Sequence, residues 1–474
     1  MSRENIKAVL EEVKERVTPS LAERKRAGKI VAKLIVYTYK AIREEGLGGL
    51  VRPEVEGSYA KDTWLSGELD IDMFLLFNYG SLSLEYMKEV GLRIAYRVAE
   101  LLGVEAHEMY ATHPYLRLTY SGIEVDLVPA YSAPSPSDCL TPVDRTPFHT
   151  RYVLSRIASN PSLRDEIRLF KKFLKGIGVY GAEVKVGGFS GYLAELITIY
   201  AGSFLDAIKL VASWRPRRVA LDIEGYYSKG ELAKLLRIAR SPILVIDPVD
   251  KHRNVAAAVT EEKLSMLIAA AKEFLANPST CFFYPKAPRV DIKRLREMLS
   301  RRAIIAIKLA RPQVVEEVLW GQAKRALRAI VNVVNRYGFT VYSSSIWVSS
   351  RELIFLIELE ALTLPVVERH EGPPVYSPHA ARFLRKYARA ELTVSGPYIE
   401  GSRWIVLRRR RYSEATRMLK EVLPRLELAS HIKRSIGRGF DIYAGEEVLS
   451  ASSEKDFLAH LYTWLVRKMP WSWS

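Results

Sequence analysis

Apolar positions along the chain recur first at helical and then at strand spacing. Met1 to Val17 is charged and helix-periodic, and Thr18-Pro19-Ser20 reads as a break and cap before a second helix running to about Glu45. Ile30, Leu34, Ile35, Thr38 and Ala41 give that helix one buried face, and Gly46 to Gly49 end it. The period then changes. Val51 to Glu56 reads as a strand, Gly57-Ser58 as a turn and Ala60 to Leu65 as a short helical piece. Leu69 to Phe77 reads as a strand that is apolar on both faces except at its start. Leu82 to Leu102 is a helix pattern, and His107 to Ala111, Tyr115 to Tyr120 and Ile123 to Ala130 are three strands joined by tight turns. Together they predict a mixed sheet with flanking helices.

Ser132 to Pro147 is rich in Pro, Ser and Asp, the composition of a loop or boundary. Helical patterns dominate from Thr150 to Leu275, broken by Gly176 to Gly191 and by a short strand at Ile243 to Ile246. Strands at Ala303 to Ala310, Phe339 to Val348 and Leu353 to Glu360, with a helix from Gln313 to Tyr337, predict a small α+β sheet. Ser377 to Ser474 alternates helices and short strands. The expectation is an α+β multidomain chain: a sheet-containing head over 1–150, a helical central domain over 151–281, an α/β body over 282–376 and a tail over 377–474.

Composition narrows the function. With 48% hydrophobic and 26% charged residues in 474, the chain is neither wholly disordered nor collagen-like. Its net charge of +17 predicts an anionic partner, nucleic acid first and an anionic membrane surface second. The most apolar long run, Tyr192 to Trp214, carries Glu195, Asp206 and Lys209 and reads as a buried helix rather than a membrane span. Cys139 and Cys281 are far apart, and the eight histidines are scattered, so neither a disulfide framework nor a structural zinc is expected. A cytoplasmic protein is the resulting expectation.

Candidate chemistry centres on Asp70-Ile71-Asp72. Residues two apart on a strand project to one face, so the carboxylates of Asp70 and Asp72 point together while Ile71 enters the opposite core. Such a pair calls for a cation, and hard oxygen ligands suit magnesium, which takes substrate phosphates as further ligands. Asp126 interrupts a second apolar strand, Ile123 to Val128. Carboxylates on neighbouring strands can hold two metals for in-line nucleotidyl transfer, with Asp126 on the metal nearer the attacking hydroxyl. The Gly57-Ser58 turn, opening a helical piece, can offer backbone N–H groups and a hydroxyl to phosphate.

Two basic stretches stand out. Arg164, Arg168, Lys171, Lys172 and Lys175 give one helix a surface of a single sign, either a solvated face or one that an anion compensates. Arg408, Arg409, Arg410 and Arg411 are either a solvated strand edge or phosphate contacts, and with Arg425, Lys433, Arg434 and Arg438 they make the tail a candidate RNA grip.

The run from Gly57 to Asp72, GSYAKDTWLSGELDID, resembles the active-site segment of the archaeal, class I CCA-adding enzymes, members of the DNA polymerase β nucleotidyltransferase superfamily. Glu124 to Tyr131, Asp144 to Thr150, Phe173 to Gly181, Asp247 to Asp250 with Arg253 to Ala257, and Glu368 to Val375 are similar to further segments of that family. The resemblance implies a polymerase-β-like head and template-free building or repair of the tRNA 3′-terminal CCA from CTP and ATP. It also implies a homodimer. Carried over by motif, Asp70, Asp72 and Asp126 are metal ligands and Gly57-Ser58 the triphosphate turn. Lys61 stands where the family commonly has Arg, keeping the charge but not a bidentate phosphate contact. His149, Lys171 and Tyr180 fall at nucleotide-contacting positions, and Arg253 at a base-reading one; Lys171 is preferred to Lys172 for its spacing to Tyr180. On the residues alone, Tyr180 is either a sugar-contacting ring or turn packing, and His149 either a ligand contact or a packed boundary histidine. A poly(A)-polymerase-like enzyme and a non-catalytic RNA-binding protein with an idle fold are the alternatives.

Overall fold

Ser20 accepts from the Glu23 backbone while the Glu23 side chain accepts from Ser20, a capping box that separates α1 (Arg3–Val17) from α2 (Leu21–Glu44). A computed structural model describes residues 3–110 and 114–473; Met1, Ala111 and Ser474, named in the expectations above, lie outside them. The chain divides into two units, Met1–Ala287 with Met469–Ser474, and Pro288–Lys468. The architecture is α+β, as expected.

The first unit opens with β1 (Val51–Glu56), α3 (Gly57–Ala60), β2 (Asp70–Asn78), α4 (Leu84–Leu102), β3 (Ala106–Tyr110), β4 (Pro114–Tyr120) and β5 (Ile123–Ser132). The sheet order is β1-β2-β5-β4-β3, in which β2 and β5 are parallel and the other neighbours antiparallel. Ile71, Met73, Leu75 and Phe77 share one core with Leu34 of α2 and Ile94 of α4, whereas Phe74 and Leu76 pack on the other face. That alternation places Asp70 and Asp72 together, opposite Ile71. The short helix differs from expectation: it occupies 57–60 rather than 60–65, and the chain then turns through Asp62 in a left-handed conformation (φ 51°).

Beyond the head come α5 (Thr146–Ser159), α6 (Leu163–Gly176), α7 (Gly191–Ala201), α8 (Phe204–Ala212), β6 (Val219–Leu221), α9 (Lys229–Ile238), β7 (Ile243–Asp247), β8 (Asp250–Asn254) and α10 (Glu261–Ala276). The apolar run 192–214 is two helices rather than one, because Gly202 (φ 84°) ends α7 and Ser203 caps α8. Strands β6 and β8 flank the anticipated β7. Phe173, Phe204, Phe274, Phe282, Phe283 and Trp471 fill the core with ring contacts.

In the second unit, α11 (Ile292–Arg301), β9 (Ala303–Ala310), α12 (Glu316–Arg336), β10 (Val341–Val348) and β11 (Glu352–Leu359) precede β12 (Val367–Pro374), α13 (Ala380–Tyr387), β13 (Thr393–Glu400) and β14 (Arg403–Arg409). Helices α14 (Ala415–Val422) and α15 (Ser430–Arg438), strand β15 (Phe440–Ala444) and α16 (Lys455–Val466) follow. Strand β15 pairs with β9, giving the sheet order β10-β11-β9-β15. The sheet β12-β14-β13 carries α13 through Phe383, Tyr387 and Val406. Among the described residues no helix is long and apolar enough to cross a membrane.

Candidate active site

The parallel register of β2 and β5 sets Asp72 beside Asp126 and Asp70 beside Glu124. Gly57 is required here: its φ is +69°, and a Cβ would lie 1.9 Å from Asp72 Oδ2. Ser58 donates its hydroxyl to Asp70 Oδ1 at 3.2 Å. Burial, then the charges of Asp70 and Asp126, push the Asp72 carboxyl up to about 7. Across the sheet, Arg117 of β4 pairs with Asp126 in register and engages both its oxygens, Nε to Oδ1 at 2.7 Å and Nη2 to Oδ2 at 2.8 Å. Sequence reasoning missed Arg117, since pairing it with Asp126 needs the strand register. Among the described residues no three His, Cys, Asp or Glu side chains are already gathered to hold a metal ion.

A buried ionic cluster adjoins the carboxylates. Lys61 donates to Glu195 Oε2 at 2.6 Å, and Lys171 and Thr63 donate to Oε1 at 2.7 and 2.8 Å. Glu195, on α7, has no exposed surface, and the two lysines hold its carboxyl down at about 2 against the opposing effect of burial. Burial lowers Lys171, which also feels Asp70, tying this cluster to the aspartates. The basic helix α6 is therefore compensated from within. Arg168 is buried against Asp62 and the Trp64 carbonyl, Arg164 lies 3.6 Å from Asp62, and Lys172 and Lys175 pair with Glu68. Tyr180 lies at the start of α7, where a Cβ on Gly191 would meet its hydroxyl at 2.8 Å and Lys171 Cε at 3.8 Å.

A second hub is Asp247, also without exposed surface. Its carboxylate meets His149 Nε2 at 3.0 Å, accepts from Arg253 Nη1 at 2.7 Å and from the Tyr192 hydroxyl at 3.1 Å, while His149 stacks on Tyr192. Against burial, His149, Arg253 and the Val249 N–H hold Asp247 at about 2, and burial pushes the His149 imidazole below its ordinary value despite Asp247. The nearby charge of Lys61 also lowers His149, so the two hubs share one neighbourhood. Neither Glu195 nor Asp247 was singled out from the sequence as a site residue; a Glu inside an apolar helix and an Asp ending an apolar strand are the signals that were there.

In the second unit the arginine run splits by strand parity. Arg408 and Arg410 both donate to Glu368, at 2.8 and 2.7 Å, whereas Arg409 and Arg411 are exposed. Neutralising Arg409 and Arg411 to Gln is expected to leave the melting temperature within about 0.5 kcal/mol equivalent, as for ordinary surface changes. Breaking Arg410→Gln is expected to cost more, because it strips a half-buried carboxylate of a partner. Differential scanning calorimetry of the variants reads the difference.

The Gly57-Ser58 turn thus lies against paired carboxylates with a third on the parallel neighbour, and family matches place the chain in the nucleotidyltransferase class. The family described as tRNA nucleotidyltransferase, second domain, matches residues 165–284, and that described as CCA-adding enzyme, C-terminal domain, matches 301–445. CCA-adding enzymes of Methanosarcina barkeri and Methanothermobacter thermautotrophicus are each 37% identical, over 96% of this chain and 97% of the relative, and over 88% of both, respectively. That of Pyrobaculum islandicum is 35% identical over 88% of this chain and 94% of its own. The chain belongs to the CCA-adding enzyme family. Among solved structures, Cid1, an RNA terminal uridylyl transferase, superposes with a TM-score of 0.48 at 16% identity, over 61% of this chain and 100% of its own.

Proposed function

We propose that this chain builds and repairs the 3′-terminal CCA of tRNA from CTP and ATP, without a nucleic acid template, releasing pyrophosphate at each addition. The observation that carries this reading is the alignment of Asp70, Asp72 and Asp126 on one face of adjacent parallel strands, beside Gly57-Ser58. The donor set fits a divalent cation of the kind its family depends on. Asp72 accepts no hydrogen bond and joins no ion pair among the described residues, and like charges flank it. Asp70, Asp72 and Asp126 would hold magnesium. When bound, the metal ions lower the pKa of the attacking 3′ hydroxyl and neutralise the triphosphate and leaving pyrophosphate.

The chain's own groups then bind and orient. The Ser58 hydroxyl, presented by the Gly57 turn, contacts the triphosphate. Lys61 and Lys171 supply fixed positive charge at the nucleotide, their positions set by Glu195. His149 and Tyr180 line the nucleotide, with His149 neutral at physiological pH. Arg253 reads the base edge, one of its N–H groups being committed to Asp247. The head over 1–150 performs the chemistry, the segment 151–281 completes the nucleotide pocket and the tail over 377–474 grips tRNA as part of a cytoplasmic homodimer.

The test incubates the protein with magnesium, CTP, ATP and tRNA lacking its CCA, and sequences the 3′ ends. Addition of C, C and A, stopping there, is expected. A long A tail would assign the protein to the poly(A)-polymerase-like reading, and tight tRNA binding without incorporation to the idle-fold one. An Arg253→Ala enzyme is expected to lose its C-then-A order; an unchanged order would remove Arg253 as the base reader. Arg409→Gln with Arg411→Gln is expected to flatten the salt dependence of tRNA binding, by up to about 0.9 in log–log slope per lost phosphate contact. An unchanged slope would take those residues out of the RNA interface.

A further inference from the structure

The third carboxylate of the site is already occupied by a cation of the protein's own. Arg117 and Asp126 are directly opposed across antiparallel strands, so their side chains leave the same face of the sheet. Nε and Nη2 of the guanidinium take one carboxylate oxygen each, at 2.7 and 2.8 Å, the planar fork that suits arginine and carboxylate. Among the described residues Asp70 and Asp72 have no such partner, and the Asp70 carboxylate accepts from the Ser58 hydroxyl. The pairing is thus specific to one of the three acids.

The fork also has somewhere else to go. Nη1 of Arg117 lies 3.6 Å from Glu124 Oε2, and Glu124 shares its strand face with Asp126. The Arg117 side chain is 35% exposed and that of Glu124 is 61% exposed, against 17% for Asp126. A guanidinium and a divalent ion on one carboxylate repel each other, and while the fork is closed each Asp126 oxygen already accepts one N–H.

We propose that Arg117 holds the place of the metal: it neutralises Asp126 while the site is empty, and metal entry requires the fork to open toward Glu124. The inference rests on the reading of Asp70, Asp72 and Asp126 as the metal ligands. It makes Arg117 a positioning residue that tunes when the site fills, rather than a group that touches substrate.

The test measures binding of manganese alone to the full chain, by electron paramagnetic resonance, with no nucleotide or RNA present. Arg117→Gln is expected to bind manganese about tenfold tighter than the unaltered protein, because it removes a competing positive charge from Asp126. Arg117→Lys, which retains the charge but not the fork, is expected to fall between the two and serves where the glutamine variant does not fold. Equal or weaker binding by a folded Arg117→Gln or Arg117→Lys protein overturns the inference. Asp72→Asn and Asp126→Asn are the controls. If neither weakens manganese binding, the metal-site reading fails and takes the inference with it. If they weaken it and the Arg117 variants do not strengthen it, the inference alone fails.

Discussion

Asp72→Asn is expected to lower nucleotide incorporation by more than about 10²-fold, since even outer partners of metal ligands are worth 10–100-fold, and at the same time to raise the melting temperature of the metal-free protein. The two effects have one origin. Gly57 packs against the Asp72 carboxylate, which pairs with no cation among the described residues, and burial with the like charges of Asp70 and Asp126 outweighs the opposing charges of Lys61 and Arg117. Arg117 offsets Asp126 alone, so burying Asp72 beside these carboxylates stays costly until a cation loads the site. The sign follows from the raised value: the folded protein holds this proton more firmly than the unfolded chain does. Stability is therefore lost as pH rises from the ordinary aspartate range, about 4, toward about 7. An asparagine titrates in neither state. Thermal melts in chelator should show the variant's advantage larger at pH 8 than at pH 5; a variant that melts lower than the parent at pH 8 would contradict this account.

What could be read in advance was whatever depends on short-range periodicity. The common face of Asp70 and Asp72, and Ile71 in the opposite core, follow from a period of two and needed no tertiary knowledge. Asp126 was visible because it interrupts an apolar strand. The sequence could not display the partners. Arg117 meets Asp126 only through the β4–β5 register, and Lys61 meets Glu195 across 134 positions. The cationic helix α6 therefore looked like a surface, whereas Asp62, Glu68 and Glu195 neutralise it from within. Strand β8, Asp-Lys-His-Arg-Asn, has no apolar alternation and is fixed instead by hydrogen bonds such as those of the Asn254 side chain to Val245 and Ile243. Pattern reading thus recovers the acids that face a ligand and misses the counterions that hold them.

Glu195→Gln is expected to be the most destabilising of the single changes considered, costing about 3–5 kcal/mol, the range for stripping one partner from a buried ion pair. One carboxylate here serves two ammonium groups and a hydroxyl: Lys61 at 2.6 Å, Lys171 at 2.7 Å and Thr63 at 2.8 Å. Glutamine preserves the shape and one acceptor but leaves two buried cations facing each other. Because Glu195 is held at about 2, its contribution is complete above the ordinary glutamate range, about 4.5, and is lost as pH falls from there toward about 2. Urea denaturation should therefore show a large gap between parent and variant at pH 7 and a smaller one at pH 3. Adding Lys171→Met to Glu195→Gln removes one of the stranded cations, so the pair should cost less than the sum of the two single changes. Strict additivity, or a Glu195→Gln protein as stable as the parent at pH 7, would mean that the lysines reach water without Glu195. In that case Lys61 and Lys171 would be free to move with the nucleotide rather than held in place for it.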